Sequence, residues 1–289
     1  MRHYLIGLYE KAMPSELSWT EKFVEAKNAG FDYVEISIDE TEAKLARLDW
    51  NEKEILSVVE AGRKIGMKIG SMCLSGHRKY PLGGPNSRNL EIMQKAIDFA
   101  SIAGIPIIQI AGYDVYYEPS TEDTRKEFEQ NLELSAKMAA KEGILLGFET
   151  METPFMDTVE KSMHYVNTIS SPFLQVYPDL GNLTNASLLY GKSVVEDLST
   201  GEGHILAAHI KETVPGKYRE IPFGTGQVDF KTLLAKTWNM KVRRYVTELW
   251  YTGNSDWRDQ ITNAATLARN ILDKLDREQE RGKEYAQDN

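Results

Sequence analysis

This 289-residue sequence has a single cysteine, no net positive charge and no long apolar run, and each of these absences excludes a class of protein. The single cysteine, Cys73, excludes an intramolecular disulfide framework and is typical of a reducing compartment. The net charge of −9 argues against a nucleic-acid partner, because such partners are held largely through phosphates. No run approaches the roughly 20 apolar residues that span a membrane, and the N-terminal apolar stretch is too short for a signal peptide. We therefore expect a cytoplasmic protein without nucleic-acid or membrane partners.

What the sequence does contain is an alternation of eight short apolar runs with longer amphipathic segments. The runs lack strict polar alternation, which predicts strands covered on both faces of a parallel sheet. They occupy residues 4–10, 31–38, 68–74, 105–112, 144–149, 173–179, 204–211 and 244–250. Eight strand–helix pairs predict an α/β protein with a (β/α)₈ TIM barrel fold, in a single domain over residues 1–289. A doubly wound open sheet is the alternative, but "GLYEKAMP" after the first strand is not the glycine-rich turn it normally carries.

Glycines predict where several helices end. Gly30, Gly104 and Gly143 each follow an amphipathic segment and can adopt the left-handed conformation that terminates a helix. The sixth helix is expected at about residues 187–200. After the last helix, the polar segment from about 276 to 289 is expected to fray or to pack loosely.

Four ionisable residues lie at the ends of four consecutive predicted strands, the fifth to the eighth: Glu149, Asp179, His209 and Glu248. In a TIM barrel the carboxyl ends of all strands meet at one rim, so these side chains can reach one point. Three carboxylates at that spacing would repel each other, and several would be forced to hold protons unless a cation compensated them. We therefore predict that the four residues hold a divalent metal ion, although any one of them alone would more often be solvated or ion-paired.

The ligand types narrow the identity of the ion. Three oxygen donors and one imidazole nitrogen, without a thiolate, suit Mn²⁺, Mg²⁺ or Co²⁺ better than a structural zinc site. We expect Mn²⁺, with Zn²⁺ as a further alternative. Cys73 is interpreted as an inert packing residue, because the sequence offers no identifiable partner that would activate its thiol.

Several segments resemble a known family. The motifs "VYPDLGN", "AAHIKE", "PFGTGQVDF" and "VTELW" are similar to those of the xylose-isomerase-like barrels, which include sugar epimerases and relatives of endonuclease IV. The similarity is closer to the L-ribulose-5-phosphate / L-xylulose-5-phosphate 3-epimerases of ascorbate and related sugar catabolism, on "GLYEKAMP", "RLDW", "SMCLSGHRKYPLG", "LEIMQKAIDFA" and "IQIAGYDVYY". The resemblance runs from about residue 4 to 275. It implies the barrel fold, a divalent metal on the four residues above, and a mechanism with two glutamates.

Epimerisation at C3 of a 2-ketose needs two bases on opposite sides of that carbon. Glu149 and Glu248 are the candidates for these catalytic bases, while Asp179 and His209 are expected only to hold the metal. The ion would stabilise a cis-enediolate as negative charge develops on the sugar oxygens. Proton transfer by a positioned carboxylate adds roughly two to four orders of magnitude in rate.

The substrate is expected to contact six residues around the rim: Tyr9, Lys11, His77, Arg78, Asn182 and Lys211. Glu35 is expected at the end of the second strand. The basic members would form a local positive rim on an acidic protein, as a phosphorylated sugar requires, and an arginine suits bidentate phosphate contact better than a lysine. Among the basic residues, His77 and Arg78 are our first candidates for contact with the phosphate, and Lys211 is the next. For each basic residue a solvated loop charge is an equally good interpretation.

Other functions stay open at this point. An aldose–ketose isomerase of the hydroxypyruvate or hexulose-phosphate type, or an epimerase of free ketoses, would share the metal but would not need Arg78. An abasic-site endonuclease would need more than the five histidines present and a basic groove. A non-catalytic metal- or sugar-binding barrel is a third class, since fold alone does not define function. The aromatic loop "GYDVYYEP" (112–119) could line the sugar site or form a contact in a homodimer.

Overall fold

The computed structural model describes residues 2–287, and its centre is one eight-stranded parallel sheet. The strands are β1 (Leu5–Tyr9), β2 (Tyr33–Ile38), β3 (Ile69–Leu74), β4 (Ile107–Ala111), β5 (Leu145–Glu149), β6 (Leu174–Val176), β7 (Ala208–Ile210) and β8 (Arg244–Thr247). All eight lie within the predicted apolar runs. Their order around the sheet is β6-β5-β4-β3-β2-β1-β8-β7, and neighbouring strands are parallel. The predicted (β/α)₈ barrel is confirmed.

The barrel closes between β6 and β7 through single bridges instead of a continuous ladder. Val176 is bridged to Ile205, and Asp179 is bridged to His209. Pro178 has no N–H to donate, but its carbonyl accepts a hydrogen bond from the His209 amide at 2.9 Å. The observed β6 and β7 are therefore shorter than predicted. The second bridge also places Asp179 directly beside His209.

Ten α-helices surround the sheet. They are α1 (Trp19–Asn28), α2 (Glu42–Leu45), α3 (Glu52–Ile65), α4 (Arg88–Ala103), α5 (Glu122–Glu142), α6 (Val159–Ile169), α7 (Leu180–Tyr190), α8 (Val194–Thr200), α9 (Phe230–Asn239) and α10 (Trp257–Gln287), within the described part of the chain. Gly104 and Gly143 have φ angles of 68° and 69° and end α4 and α5 as predicted. None of the helices in residues 2–287 is long and apolar enough to cross a membrane.

Two helical predictions need correction. The single sixth helix expected at 187–200 is instead the pair α7 and α8, and α7 begins seven residues earlier because the Asp179 side chain caps it. The polar segment expected to pack loosely from 276 is helical as far as Gln287, since it continues α10. Asp276 within it is buried and accepts a hydrogen bond from the His3 amide at 3.1 Å. Residues 288 and 289 lie outside the described part of the chain.

The interior of the barrel is partly polar near the rim where the strands end. Glu35, Ser71 and Gln109 are buried side chains on β2, β3 and β4. The ring of Tyr33 packs against Gly7 in the interior. A Cβ atom at position 7 would lie only 2.3 Å from Cε2 of that ring. A larger residue at position 7 would therefore displace the ring.

Candidate active site

The four predicted ligands meet at the carboxyl-terminal rim. Glu149 is the last residue of β5, His209 is in the middle of β7, and Glu248 directly follows β8. Asp179 follows β6 by three residues and is the N-cap of α7. All four are buried, and one potential ligand atom from each lies within 4.8 Å of the others. The structure thus brings together every residue of the predicted metal set.

The imidazole of His209 presents Nδ1 to the three carboxylates. This atom lies 3.4 Å from Oε1 of Glu149, 3.5 Å from Oε2 of Glu248 and 3.9 Å from Oδ2 of Asp179. Nδ1 is buried and has no hydrogen-bond partner among the described residues. An uncompensated polar atom at the centre of a buried acidic cluster is costly, and a bound cation would satisfy it. The four residues therefore fit a divalent metal ion.

The electrostatics of the cluster favour the same conclusion. Burial raises the pKa of Asp179 to about 7, although Lys211 opposes the shift. Burial alone would lower the pKa of His209, but the carboxylates around it, Glu35 first, raise it well above the usual value. The pocket therefore stabilises positive charge at its centre and holds more carboxylates than Lys211 can compensate. A divalent cation would supply the missing charge.

Lys211 lies inside the carboxylate cluster instead of at the cavity mouth. Its Nζ is 3.0 Å from Oδ2 of Asp179 and 3.2 Å from Oε2 of Glu248. Lys211 and His209 hold the pKa of Glu248 well below the usual value, although burial acts in the opposite direction. One of the two catalytic candidates is therefore held between a lysine and an imidazole in this structure.

Five of the six predicted substrate residues line the cavity above the cluster: Tyr9, Lys11, Arg78, Asn182 and Lys211. Lys11 is paired with Asp39 at 2.5 Å. Asn182 donates through Nδ2 to the carbonyl of Thr150 at 2.7 Å, and its buried Oδ1 has no partner within residues 2–287. The substrate contacts expected from these residues, including phosphate contact by Arg78 and Lys211, stay predictions.

His77 is the predicted substrate residue that the structure does not bring to this cavity. It lies in the short 3₁₀ helix Gly76–Arg78, where successive side chains point in different directions. Its ring is buried, with Nε2 3.1 Å from the carbonyl of Asn89. Burial lowers the pKa of His77 to about 4. Arg78, the next residue, stacks its guanidinium on the ring of Tyr116 with 4.4 Å to the centroid.

The expectation that Glu35 lies at the end of the second strand is wrong. It is the third residue of β2, and its side chain is buried inside the barrel. Its Oε1 lies 2.6 Å from Nε2 of His209. Successive side chains of a strand point to opposite faces. Glu35 therefore points to the interior, while Val34 and Ile36 pack toward the helices. A single carboxylate in the run "YVEISI" is the signal that could have marked it.

Sequence reasoning did not single out Gln109, Trp250 or Arg219, which contact the acidic cluster or line the cavity above it. Gln109 of β4 donates a hydrogen bond from Nε2 to Oε2 of Glu149, and it is the one amide in an apolar run. Trp250 follows Glu248 by two residues and forms part of the wall. Arg219 comes from the loop after β7, where no pattern marked it, and its guanidinium donates to Glu152 at 2.6 Å.

Cys73 also lines this cavity, beside Tyr9. Burial and the neighbouring carboxylates, Glu35 first, raise the pKa of its thiol. A protonated thiol is a poor nucleophile, so the geometry supports its interpretation as a packing residue.

Comparison with known proteins places the chain among sugar-converting barrels. The model of the xylose isomerase-like TIM barrel family matches residues 23–270. The L-ribulose-5-phosphate 3-epimerase UlaE of Salmonella paratyphi C (strain RKS4594) is 44% identical over 234 residues, which cover 80% of this chain and 81% of that protein. The protein of the same name from Salmonella paratyphi A is 44% identical over 230 residues, 78% of this chain and 80% of the relative.

Solved structures of the same fold are more distant in sequence. D-psicose 3-epimerase from Clostridium cellulolyticum H10, solved with D-tagatose, has a TM-score of 0.75 at 13% identity and covers 93% of this chain and 99% of its own. A structure of L-ribulose 3-epimerase has a TM-score of 0.75 at 16% identity, covering 96% and 97%. The chain therefore belongs to the xylose isomerase-like TIM barrel family, together with the L-ribulose-5-phosphate 3-epimerases, and is a sugar epimerase, an enzyme of the isomerase class.

Proposed function

We propose that this enzyme is a metal-dependent 3-epimerase of a phosphorylated ketopentose, interconverting L-ribulose 5-phosphate and L-xylulose 5-phosphate. The observation that carries the proposal is the placement of Glu149 and Glu248 in one ligand set, on strands that β6 and β7 separate around the ring. Two carboxylates that enter from different strands can serve one reacting carbon from two sides. The 44% identity to L-ribulose-5-phosphate 3-epimerases supports this choice of substrate.

The metal would be held by Glu149, Asp179, His209 and Glu248. Three oxygen donors and one nitrogen suit Mn²⁺ first, with Mg²⁺, Co²⁺ and Zn²⁺ as alternatives. When bound, the ion acts as a Lewis acid that stabilises negative charge developing on the sugar oxygens. Asp179 and His209 contribute ligand atoms and no proton transfer.

The two glutamates perform the proton transfers at C3. One carboxylate removes the C3 proton, the electron pair of that bond enters C2–C3, and the C2 carbonyl becomes an enediolate oxygen. The other glutamate, which carries a proton when the substrate binds, gives that proton to the opposite face of C3 while the C2 carbonyl re-forms, and the configuration inverts. In the reverse direction the two residues exchange roles. General acid–base transfer of this kind contributes roughly two to four orders of magnitude in rate.

Neighbouring residues hold both glutamates in place and keep water away. Gln109 donates to Oε2 of Glu149, and Lys211 lies 3.2 Å from Oε2 of Glu248. Only 5% of Glu149 and 6% of Glu248 is accessible to solvent. Restricting both carboxylates to one geometry converts a bimolecular proton transfer into an effectively intramolecular one.

Arg78 is the residue that we assign to the substrate phosphate. Its nearest carboxylate, on Glu40, is 4.0 Å away, and its buried Nε has no hydrogen-bond partner within residues 2–287. Lys11 and Arg219 also line the mouth, but each is already paired with a carboxylate. Lys211 belongs to the metal cluster and His77 lies outside the cavity, so neither enters this assignment. A guanidinium with free donors suits phosphate.

The test is to assay purified enzyme with Mn²⁺ on L-ribulose 5-phosphate and on L-ribulose, with both products identified by NMR. We expect L-xylulose 5-phosphate from the phosphorylated ketose, with kcat/KM at least tenfold higher than for the free sugar. Equal specificity constants would instead favour an epimerase of free ketoses. Formation of an aldose phosphate would favour an aldose–ketose isomerase. The abasic-site endonuclease is disfavoured by the net charge of −9.

The predicted homodimer, the single-domain organisation and the cytoplasmic location stay predictions. Of the loop expected to line the sugar site or a subunit contact, Tyr116 stacks on Arg78. Tyr117 is 68% exposed and donates to Glu40 at 2.8 Å. This loop therefore supports Arg78 at the cavity mouth, whatever its role in assembly.

A further inference from the structure

A buried carboxylate lies directly behind the histidine of the ligand set. Oε1 of Glu35 is 2.6 Å from Nε2 of His209, and both side chains are fully buried. Glu35 comes from β2, which is separated from β7 by β1 and β8 in the sheet. The contact therefore crosses the interior of the barrel instead of following one strand pair. It joins residues that are 174 positions apart in the sequence.

The second oxygen of Glu35 is also occupied. Oε2 accepts hydrogen bonds from the hydroxyl of Ser71 at 2.7 Å and from the hydroxyl of Tyr177 at 3.1 Å. The two donors come from β3 and from the segment that follows β6. Three contacts from three parts of the barrel leave the carboxylate a single orientation. A buried carboxylate held in this way is satisfied as an acceptor.

The ring of His209 is likewise fixed. Tyr177 packs against it edge to face, with ring centroids 5.1 Å apart and an interplanar angle of 70°. Nε2 is turned toward Glu35, so Nδ1 is turned toward Glu149 and Glu248, at 3.4 and 3.5 Å. The two nitrogens of one imidazole thus face two different kinds of acidic group. One is a carboxylate outside the ligand set, and the others are the ligand set itself.

We propose that Glu35 is a positioning residue for the metal site: it accepts the Nε2 proton of His209 and thereby keeps the lone pair on Nδ1 for the ion. This inference rests on the proposed metal-dependent function. A carboxylate on the remote nitrogen of a ligating histidine fixes the ring and its tautomer and makes the imidazole a stronger donor. Glu35 also adds a fourth buried negative charge, which Lys211 and a divalent ion together compensate better than Lys211 alone.

Binding of Mn²⁺ to metal-free enzyme, measured by calorimetric titration, tests the proposal on wild type and Glu35→Gln. Glutamine retains the shape and an acceptor but removes the charge. We expect 10- to 100-fold weaker Mn²⁺ binding, the range typical for loss of such a partner, with turnover recovering at excess Mn²⁺. The hydrogen-bonded Nε2 proton of His209 should shift upfield in the NMR spectrum of the variant. Ser71→Ala, which removes one donor to Glu35, should weaken Mn²⁺ binding by a smaller factor.

Glu10→Gln is the matched control. Glu10 is an equally buried glutamate near the rim, but its partners are Lys22, Lys44 and Arg47, which lie outside the ligand set. This variant should bind Mn²⁺ as wild type does. Wild-type Mn²⁺ affinity in Glu35→Gln would overturn the role of Glu35. If that variant does not fold, unchanged affinity in both Ser71→Ala and Tyr177→Phe would overturn it. Failure of wild type itself to bind Mn²⁺ would instead overturn the metal site.

Discussion

The carboxylate oxygen Oε2 of Glu248 lies 3.5 Å from Nδ1 of His209, inside the rim of the barrel. Lys211 reaches the same oxygen from the other direction, at 3.2 Å. A carboxylate at this distance from Nδ1 could share an ion with His209 and still face the cavity. Glu248 and Glu149 are each proposed to bind the metal and to transfer a proton. Mutations can separate these two functions, because excess metal can restore binding but not proton transfer.

Glu149→Gln and Glu248→Gln should each lower kcat by at least 100-fold even at saturating Mn²⁺, because an amide cannot take the C3 proton. The matched control is Asp179→Asn, which removes a ligand charge but keeps a good N-cap for α7. That variant should recover activity when Mn²⁺ is raised. Steady-state kinetics across a Mn²⁺ series would check both statements. Recovery of either glutamine variant by excess metal would remove that glutamate from the proton transfers.

Arg78→Met should raise KM for L-ribulose 5-phosphate by about 10- to 100-fold with little change in kcat, as expected for a lost charge-assisted contact of roughly 1.5–3 kcal/mol. Methionine keeps the apolar stem that packs on Tyr116. Arg219→Met is the comparison, and a smaller effect is expected because Arg219 already pairs with Glu152. Activity on unphosphorylated L-ribulose should not respond to Arg78→Met. An equal loss on both sugars would show that Arg78 supports the fold and does not read the phosphate.

His77 should make the folding free energy depend on pH. Burial lowers the pKa of His77 from 6.5 to about 4, so the unfolded chain binds more protons between these values. Burial of neutral His77 therefore contributes fully to the free energy of unfolding above pH 6.5, and this contribution is lost as the pH falls toward 4. At roughly 1.4 kcal/mol for each pKa unit, the loss is about 3 kcal/mol. Urea unfolding of His77→Gln should show a flatter slope in this range. The exposed His164→Gln should leave the slope unchanged, and a wild-type slope in His77→Gln would contradict the account.

Glu10→Gln should lower the free energy of unfolding by about 3 kcal/mol, because it leaves buried Lys22 and half-buried Lys44 and Arg47 without their counter-charge. Arg47, Lys44 and Lys22 hold the pKa of Glu10 well below its usual range although burial acts against them. Urea denaturation of the metal-free enzyme measures the change. Glu60→Gln, which breaks an exposed pair with Arg63, is the control and should have no measurable effect. Equal stability of the two variants would mean that the Glu10 cluster is not stabilising.

The meeting of Glu149, Asp179, His209 and Glu248 at the rim could be predicted from the sequence because each lies at or near the end of an apolar run. The carboxyl ends of the strands in a parallel barrel form one rim, which brings together residues that are 30 or more positions apart. Asp179 illustrates the limit of this reasoning. The apolar run predicts a strand that ends at Asp179, whereas β6 ends at Val176 and Asp179 is the N-cap of α7. The side chain reached the predicted place by a different local structure.

Contacts across the barrel interior could not be predicted in the same way. Glu35 and His209 lie on strands that share no hydrogen bonds, so no pattern along the chain relates them. Arg219 enters the cavity from a loop whose path depends on Glu212, which accepts hydrogen bonds from the amides of Gly224 and Val228. Such loop paths depend on buried acceptors that a single sequence does not reveal. Periodicity predicts elements, while closure of the barrel decides which interior residues meet.

The central claim is that Glu149, Asp179, His209 and Glu248 bind a divalent ion at which C3 of a phosphorylated ketose exchanges its proton. The most direct measurement is NMR detection of deuterium incorporation into L-xylulose 5-phosphate in D₂O, with Mn²⁺ present and after chelation. We predict incorporation at C3 with Mn²⁺, its loss on chelation and its return when Mn²⁺ is restored. Incorporation at C1, or undiminished exchange at C3 in the metal-free enzyme, would contradict the account.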